Sequence, residues 1–266
     1  LQLQSAAASS VSAQQAKAIV EETRAFYGLD KPAHRQFLMW ISRAARLDFG
    51  VSFKDKRPVM DKIMEAIPVT LLLNITAIMV VYIISIPVGV ISASKKGGLF
   101  DRFSLASTLV LYSIPSFWAA IVLISFFGGG EYINWFPIAG IASDGIGSLS
   151  WHGKIFNVLW HMVLPVVCLT YGGFAFLSRF ARSSMLRTID QNYIVTARAK
   201  GLSEWKVLVK HAMRNALIPF VTLIGTLLPA LIGGSVIIEE IFSIPGMGRL
   251  GFESVLSRDY PVIMAI

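Results

Sequence analysis

The chain has 266 residues, a formal charge of +8, 55% apolar residues and only 15% charged ones. Soluble domains carry roughly a quarter charged residues. With a mean hydropathy of +0.63, this composition excludes an ordinary soluble domain and calls for lipid-facing surface. The basic residues crowd the ends of apolar runs, so they read as setters of membrane orientation and not as a nucleic-acid surface.

Leu1 to Ser12 is a Gln/Ser/Ala stretch without the basic start and apolar core of a signal peptide. No initiator Met is present, and Tyr260–Ile266 opens a new apolar run. The expectation is a piece of a longer chain. Between Pro32 and Leu47, Phe37, Leu38, Ile41, Ala44 and Ala45 recur at helical spacing, with Arg35, Arg43 and Arg46 on the other face. Two readings fit: a helix lying on the membrane surface, or an ordinary surface helix.

Four stretches then carry no Asp, Glu, Lys or Arg: Ala66–Ser94, Phe103–Gly130, Ile155–Ser178 and Asn215–Ile238. Each exceeds the roughly 20 residues that a spanning helix needs. A fifth span is expected to begin near Tyr260. The fold class predicted is all-α, a polytopic transmembrane bundle over residues 66–266, preceded by an N-terminal region 1–65. Pro68, Pro87, Pro115, Pro165, Pro219 and Pro229 lie within or beside the spans, where neighbouring helices satisfy the freed carbonyls. Gly172–Gly173 and Gly233–Gly234 read as close-approach points.

Topology follows from the short loops. Loop 95–102 carries Lys95, Lys96 and Arg102; loop 131–154 carries only Lys154; loop 179–214 carries eight basic residues. Basic loops stay in the cytoplasm, which puts 95–102 and 179–214 inside and 131–154 and 239–253 outside. Region 1–65 then lies outside despite ten basic residues, which seven acidic ones accompany.

No enzyme constellation is present. His34, His152, His161 and His211 are scattered without metal-ligand spacing. Cys168 is alone, so neither a disulfide nor a metal framework is expected. There is no nucleophile elbow and no GxxxxGK[ST] phosphate loop. His161, within a span, reads as a hydrogen-bonded packing residue. The spans hold no carboxylate of the kind that proton- or sodium-driven carriers use. Energy is therefore expected from a partner, or transport is passive.

The loop 179–214 differs in character. Tyr193–Lys200 has helical composition and stops at Gly201, a natural C-terminal position. Ser203 is placed to cap a second helix running from Glu204 towards Arg214. Ala197, Ala199 and Gly201 would permit close approach of another protein, with Lys200, Glu204 and Lys206 at the rim. A solvated basic loop explains the arginines but not the glycine turn or Trp205.

The stretch YIVTARAKGLSEWKVLVKHAMRNALIPFV resembles the cytoplasmic loop of binding-protein-dependent ABC importer permeases, and within them the peptide, dipeptide and nickel branch. Ala197 and Gly201 match the general motif of that loop. Val195 stands where its glutamate would be, Thr196 at its first alanine, and His211 and Arg214 at its later Ile and Pro. Gly28–Pro32, Asp48–Ser52, Arg57–Val59, Gly233–Leu250 and Arg258–Pro261 resemble other segments of the same branch.

The resemblance implies the type I importer permease fold with six spans, of which about five are visible here. It implies a non-catalytic subunit in the bacterial inner membrane that moves di- or oligopeptides by alternating access. Its partners would be a second permease, two ATPase subunits that bind ATP and Mg, and an external binding protein. This chain itself would hold no cofactor. Ala197, Arg198, Ala199, Lys200, Gly201, Leu202, Ser203, Glu204 and Trp205 would contact the ATPase. Asn74, Thr76, Ser113, Ser116, Thr222 and Thr226 are candidates for lining the pathway. Glu239, Glu240, Pro245, Gly246 and Gly248 are candidates for an external gate or binding-protein dock. Nickel or a peptide antibiotic as cargo stays open, as does a passive channel or secondary carrier.

Overall fold

The computed structural model describes residues 31–128 and 132–266, together with Ala18. Leu1–Ser12, the Gly28–Asp30 part of one family-like stretch and the last residues of the second apolar run lie outside the described residues. The described chain is all-α, with one isolated extended bridge between Val51 and Pro58.

Helix α1 (Ala33–Ala44) buries none of its residues. Phe37 and Trp40 stack on its exposed apolar face. It ends before the expected Leu47, which turns the chain with a φ of 58°.

Helix α2 (Val59–Ser94) runs 36 residues without interruption through Pro68 and Pro87. It starts seven residues before the expected Ala66, because Asp61, Lys62 and Glu65 extend it past the apolar stretch. At ~1.5 Å per residue it is about 54 Å long, more than the roughly 30 Å of a hydrocarbon core.

The second apolar stretch is not one helix. It forms α3 (Leu99–Ser113) and α4 (Ser116–Phe127), bent by 96°. Pro115 forces the residue before it out of the helical region, and Ile114 is extended at φ −86°, ψ 123°. The Ile114 carbonyl instead accepts the Tyr171 hydroxyl at 2.7 Å.

Helix α5 (Trp151–Ile189) has 39 residues and is capped by Ser150, whose hydroxyl accepts from the Gly153 N–H. Two shorter helices follow, α6 (Asn192–Ala199) and α7 (Glu204–Ala216), the latter π-helical over Val207–Ala212. Helix α8 (Ile218–Gly233) departs from α7 at 43°. The fourth apolar stretch therefore stops at Gly233 and not at Ile238, because Gly234 takes a φ of 67°. Helices α9 (Val236–Ile241), α10 (Met247–Leu256) and α11 (Tyr260–Ile263) complete the chain.

Helices α2 and α5 are parallel and form the centre of the bundle. Leu73 shares a core with Leu164 and Val166. Ser85 donates to the Phe174 carbonyl, and Gly173 faces Val81. Gly89 meets α5 so closely that a Cβ there would lie 2.4 Å from Ala181 Cβ and 2.6 Å from the Ser178 carbonyl. Helix α8 runs the other way: Asn74 bonds the Leu231 carbonyl and Tyr82 the Phe220 carbonyl. The α3–α4 pair climbs α5 from Arg182, which meets Asp101, past Tyr171 at Ile114, to Trp160 near the end of α4. These steps of 11 residues are each about 16 Å along the α5 axis. Loop 95–98 and α6–α7 thus share one end of the bundle, and residues 132–150 and 234–259 share the other. This is the alternation that the loop charges predict. Trp135, Phe136, Phe156 and Trp160 cluster at the second end, as aromatic residues do at a membrane interface.

Candidate functional site

Helix α6 crosses the basic end of the bundle as a short separate element. Ile194 and Ala197 are buried and anchor it in a core with Val90 and Ala93 of α2, Met185 of α5, and Val207, Leu208 and Ala212 of α7. Ala197 was expected to face a partner protein; it faces the chain's own helices instead, because it shares with Ile194 the one apolar face of α6. The free face carries Tyr193, Val195, Thr196, Arg198 and Ala199. Trp205, 68% exposed, stands beside them.

The turn after α6 follows the sequence expectation. Lys200 is the C-cap, and Gly201 takes φ +76° and donates to the Arg198 carbonyl at 2.9 Å. A left-handed residue in this position closes a helix with its last carbonyls satisfied. Nothing lies within 4 Å of a Cβ built at Gly201. The glycine is therefore needed for its backbone and not for space within the chain. Leu202 is partly buried against the same core. Ser203 occupies the N-cap position of α7, but its hydroxyl makes no capping bond; the first-turn contact is the Ser203 carbonyl accepting from Val207. Arg198 pairs with Glu204 across the turn at 2.8 Å, with both side chains exposed. Lys200 and Lys206 stay exposed at the rim.

The polar residues of the spans divide into two groups. Asn74 and Thr226 line one cleft of about 490 Å³ with Ala77, Ile78, Tyr82 and Phe176, between α2, α5 and α8. Thr76 and Ser113 return their hydroxyls to carbonyls four residues back, Leu72 and Leu109. Thr226 donates to the Leu223 carbonyl, three residues back, while staying exposed. Ser116 opens α4, and Thr222 is exposed on α8. His161 is buried and its ring nitrogens contact the Asn157 carbonyl and the Ser143 hydroxyl.

At the opposite end, Glu239 is fully buried, so it forms no surface for another protein. Its Oε1 accepts from the Thr70 hydroxyl at 3.1 Å and the Ser235 N–H at 3.3 Å, and its Oε2 from the Arg249 N–H at 2.9 Å. Gly246 and Gly248 leave room for it: a Cβ at either would come within 3.0 Å of Oε2. Glu240 is half-buried and pairs with Arg249, which also pairs with Glu253. Pro245 and Gly246 line a cleft of about 390 Å³ with Arg57, Lys62, Glu65, Arg249 and Glu253.

Three features here escape a reading by pattern. Asp101, buried, accepts from Arg182 Nε at 2.5 Å and Nη2 at 2.8 Å, from the Gly97 N–H at 2.8 Å and from the Ser92 hydroxyl. This bidentate pair ties α2, α3 and α5 together beside α6. Asp259, buried, accepts from the Ser52 hydroxyl and the Phe53 N–H, which fastens residues 48–58 to the chain's C-terminal segment. Thr70 belongs to the Glu239 cradle. Arg102 and Arg179 lie nearer the apolar runs than Asp101 and Arg182 do, so position along the chain does not mark the pairing.

Comparison with known proteins gives one answer. Residues 85–266 match the family described as binding-protein-dependent transport system inner membrane component. The inner membrane ABC transporter permease protein YejB of Escherichia coli O157:H7 is 39% identical over 246 residues, 92% of this chain and 68% of that protein. The oligopeptide transport system permease protein AppB of Bacillus subtilis is 40% identical, over 90% of this chain and 74% of its own length. The dipeptide transport system permease protein DppB of the same organism is 39% identical, over 93% and 75%. Among solved structures, the inward-facing MetNI methionine ABC transporter has a chain that superposes with a TM-score of 0.54 at 18% identity, covering 77% of this chain and 88% of that one. The bundle shares the fold of that transporter chain, and the chain belongs to the inner-membrane permease components of binding-protein-dependent ABC transporters.

Proposed function

We propose that the chain is one of two permease subunits of an ATP-driven importer of di- or oligopeptides. A second, homologous permease completes the pathway, and two ATPase subunits holding ATP and Mg dock on α6 and the α6–α7 turn from the cytoplasm. An external binding protein delivers the peptide at the Glu239–Glu253 end. The seating of α6 carries this reading. It is a separate eight-residue helix, anchored by Ile194 and Ala197 to the ends of α2, α5 and α7, with its other face free. A push on that face reaches the two central helices directly. ATP binding then shifts the balance between inward- and outward-open states by favouring one of them. The peptide cargo rests on the substrates named for AppB and DppB. The cleft holding Asn74 and Thr226 suits it, being mostly apolar with a few polar groups for a peptide backbone.

The test is reconstitution of the whole transporter in proteoliposomes, with the binding protein outside. Labelled dipeptide should accumulate only with ATP and the ATPase subunits present, and unlabelled peptides should compete where nickel does not. Accumulation without the ATPase would refute the coupling, and competition by nickel alone would refute the cargo.

A further inference from the structure

Ala66, Thr70 and Asn74 are spaced four apart on α2 and so lie on one face of it. Ala66 lines the external cleft with Pro245 and Gly246. Asn74 lines the cleft within the bundle and bonds the Leu231 carbonyl of α8. Thr70, one turn from each, belongs to neither. It sits fully buried between Glu239 and the start of α10. A polar joint thus lies between two cavities on one helix face, beside the buried Leu73, Ile238 and Met247.

The joint has a definite hydrogen-bond polarity. The Thr70 hydroxyl accepts from the Met247 N–H at 2.7 Å, so its proton is directed to Glu239 Oε1. Ser235 and Arg249 add backbone N–H donors. Glu239 therefore meets donors only, as a carboxylate requires. Four chain segments converge on it: α2 through Thr70, the α8–α9 turn through Gly234 and Ser235, α9 itself, and α10 through Arg249. Gly234, Gly246 and Gly248 are all within reach of its carboxyl, and a Cβ at any of them would press on it at 3.0 Å or less. No cation side chain pairs with it among the described contacts; Arg249 pairs with Glu240 and Glu253 instead.

We infer that the Thr70–Glu239–Met247 joint is the outer gate of this subunit's half of the pathway, and that Glu239 is the positioning residue that holds it shut. The route for cargo runs along the α2 face from Ala66 past Thr70 to Asn74. Opening requires the α9–α10 segment to leave Thr70, which breaks the two hydroxyl bonds and joins the clefts. The inference rests on the importer reading above.

Glu239→Gln keeps the shape but turns an amide N–H towards a donor on one side of the joint. Losing a charge-assisted bond in this way should raise the open fraction about tenfold. In the whole transporter carrying Cys168→Ala and Asn74→Cys, a charged membrane-impermeant maleimide added outside should then label position 74 about tenfold faster in the Glu239→Gln variant. Unchanged labelling in an assembled complex would overturn the gate. A second variant reads the same joint with Glu239 itself unchanged; because a Cβ at position 246 presses on its carboxyl at 2.6 Å, uptake by the reduced pair is the reference. Thr70 Oγ1 lies 2.5 Å from where a Gly246 Cβ would be, so Thr70→Cys with Gly246→Cys places two thiols in bridging range. Oxidation should stop uptake and reductant restore it, while the binding of ATP persists; uptake through the oxidised pair would overturn the gate. Peptide uptake by the transporter with neither change reports separately on the importer reading.

Discussion

Replacing Gly201 separates what the α6–α7 turn does for the fold from what it does for a partner. The residue has φ +76°, and a Cβ added there meets nothing within 4 Å. Its substitution cost within the chain is therefore backbone strain alone, about 1 kcal/mol for an ordinary side chain. Asn and Asp tolerate this conformation best among non-glycine residues. Gly201→Asn and Gly201→Asp should both insert and fold, with thermal stability in detergent close to that of the parent. If an ATPase packs against this turn, the added side chain collides with the partner, and the Asp adds charge beside the Arg198–Glu204 pair. Peptide uptake should fall more than tenfold for Asp, beyond what 1 kcal/mol of strain produces, and less for Asn. Copurification of the ATPase subunits should weaken in the same order. Ala197→Leu is the contrast. It overpacks the core shared with Val90 and Val207, costs about 1–3 kcal/mol, and should lower stability and uptake together. Normal uptake with normal ATPase association in Gly201→Asp would refute the assignment of this surface as the coupling contact.

Gly89→Ala should be destabilising by about 1–3 kcal/mol, because its Cβ would overlap Ala181 Cβ and the Ser178 carbonyl and force α2 away from α5; thermal unfolding of the purified complex reads this. Arg182→Ala leaves the buried Asp101 carboxylate without its counter-charge and should cost about 3–5 kcal/mol, while Asp101→Asn with Arg182→Gln should recover part of the loss. The Asp55 carboxyl is held below the usual carboxylate range, first by the Lys62 ammonium and then by the Ser52 hydroxyl. Its folded value is below its unfolded one, so its contribution is complete above about pH 4 and is lost as pH falls further. Hydrogen-exchange protection over residues 48–58, corrected for the intrinsic acid dependence of exchange, should fall below pH 4, and Lys62→Met should flatten that response.

The elements legible in the sequence are those set by local rules. Charge-free apolar runs mark α2 and α5, loop charges give the alternation of ends, and a glycine after a helical stretch marks the turn at Gly201. What a pattern misses are partners distant along the chain. Asp101 reads as a loop residue until Arg182, 81 residues on, is brought to it. Glu239 reads as an external carboxylate because nothing local reports that Thr70 and the α10 start enclose it. The second apolar run is long enough for one straight span, yet Pro115 splits it at a point where Tyr171 of α5 is ready to take the exposed carbonyl. At Pro115 a tertiary partner replaces the lost bond, whereas α2 passes through Pro68 and Pro87 unbroken.

The same packing limits how force applied at α6 travels. Helix α2 contributes Val90 and Ala93 to the core that seats α6 and Thr70 to the Glu239 joint. These points are 20 residues apart, about 30 Å along one helix. Sliding of α2 on α5 is blocked where Gly89 meets Ala181 and where Asp101 links Ser92 to Arg182. The pair must then move as one body. Helix α8 is held to it less firmly, with the Asn74–Leu231 and Tyr82–Phe220 bonds and a 490 Å³ cleft between them. It also has natural hinges at both ends, the 43° bend at Leu217 and the left-handed Gly234. Rotation of α2–α5 against α8 therefore changes the cleft at Asn74 and the joint at Thr70 in one motion. A stabilising contact added across Val81 and Leu223, both lining that cleft, should slow uptake while leaving the α6 surface and ATPase docking intact; unchanged uptake in that variant would place the moving boundary elsewhere.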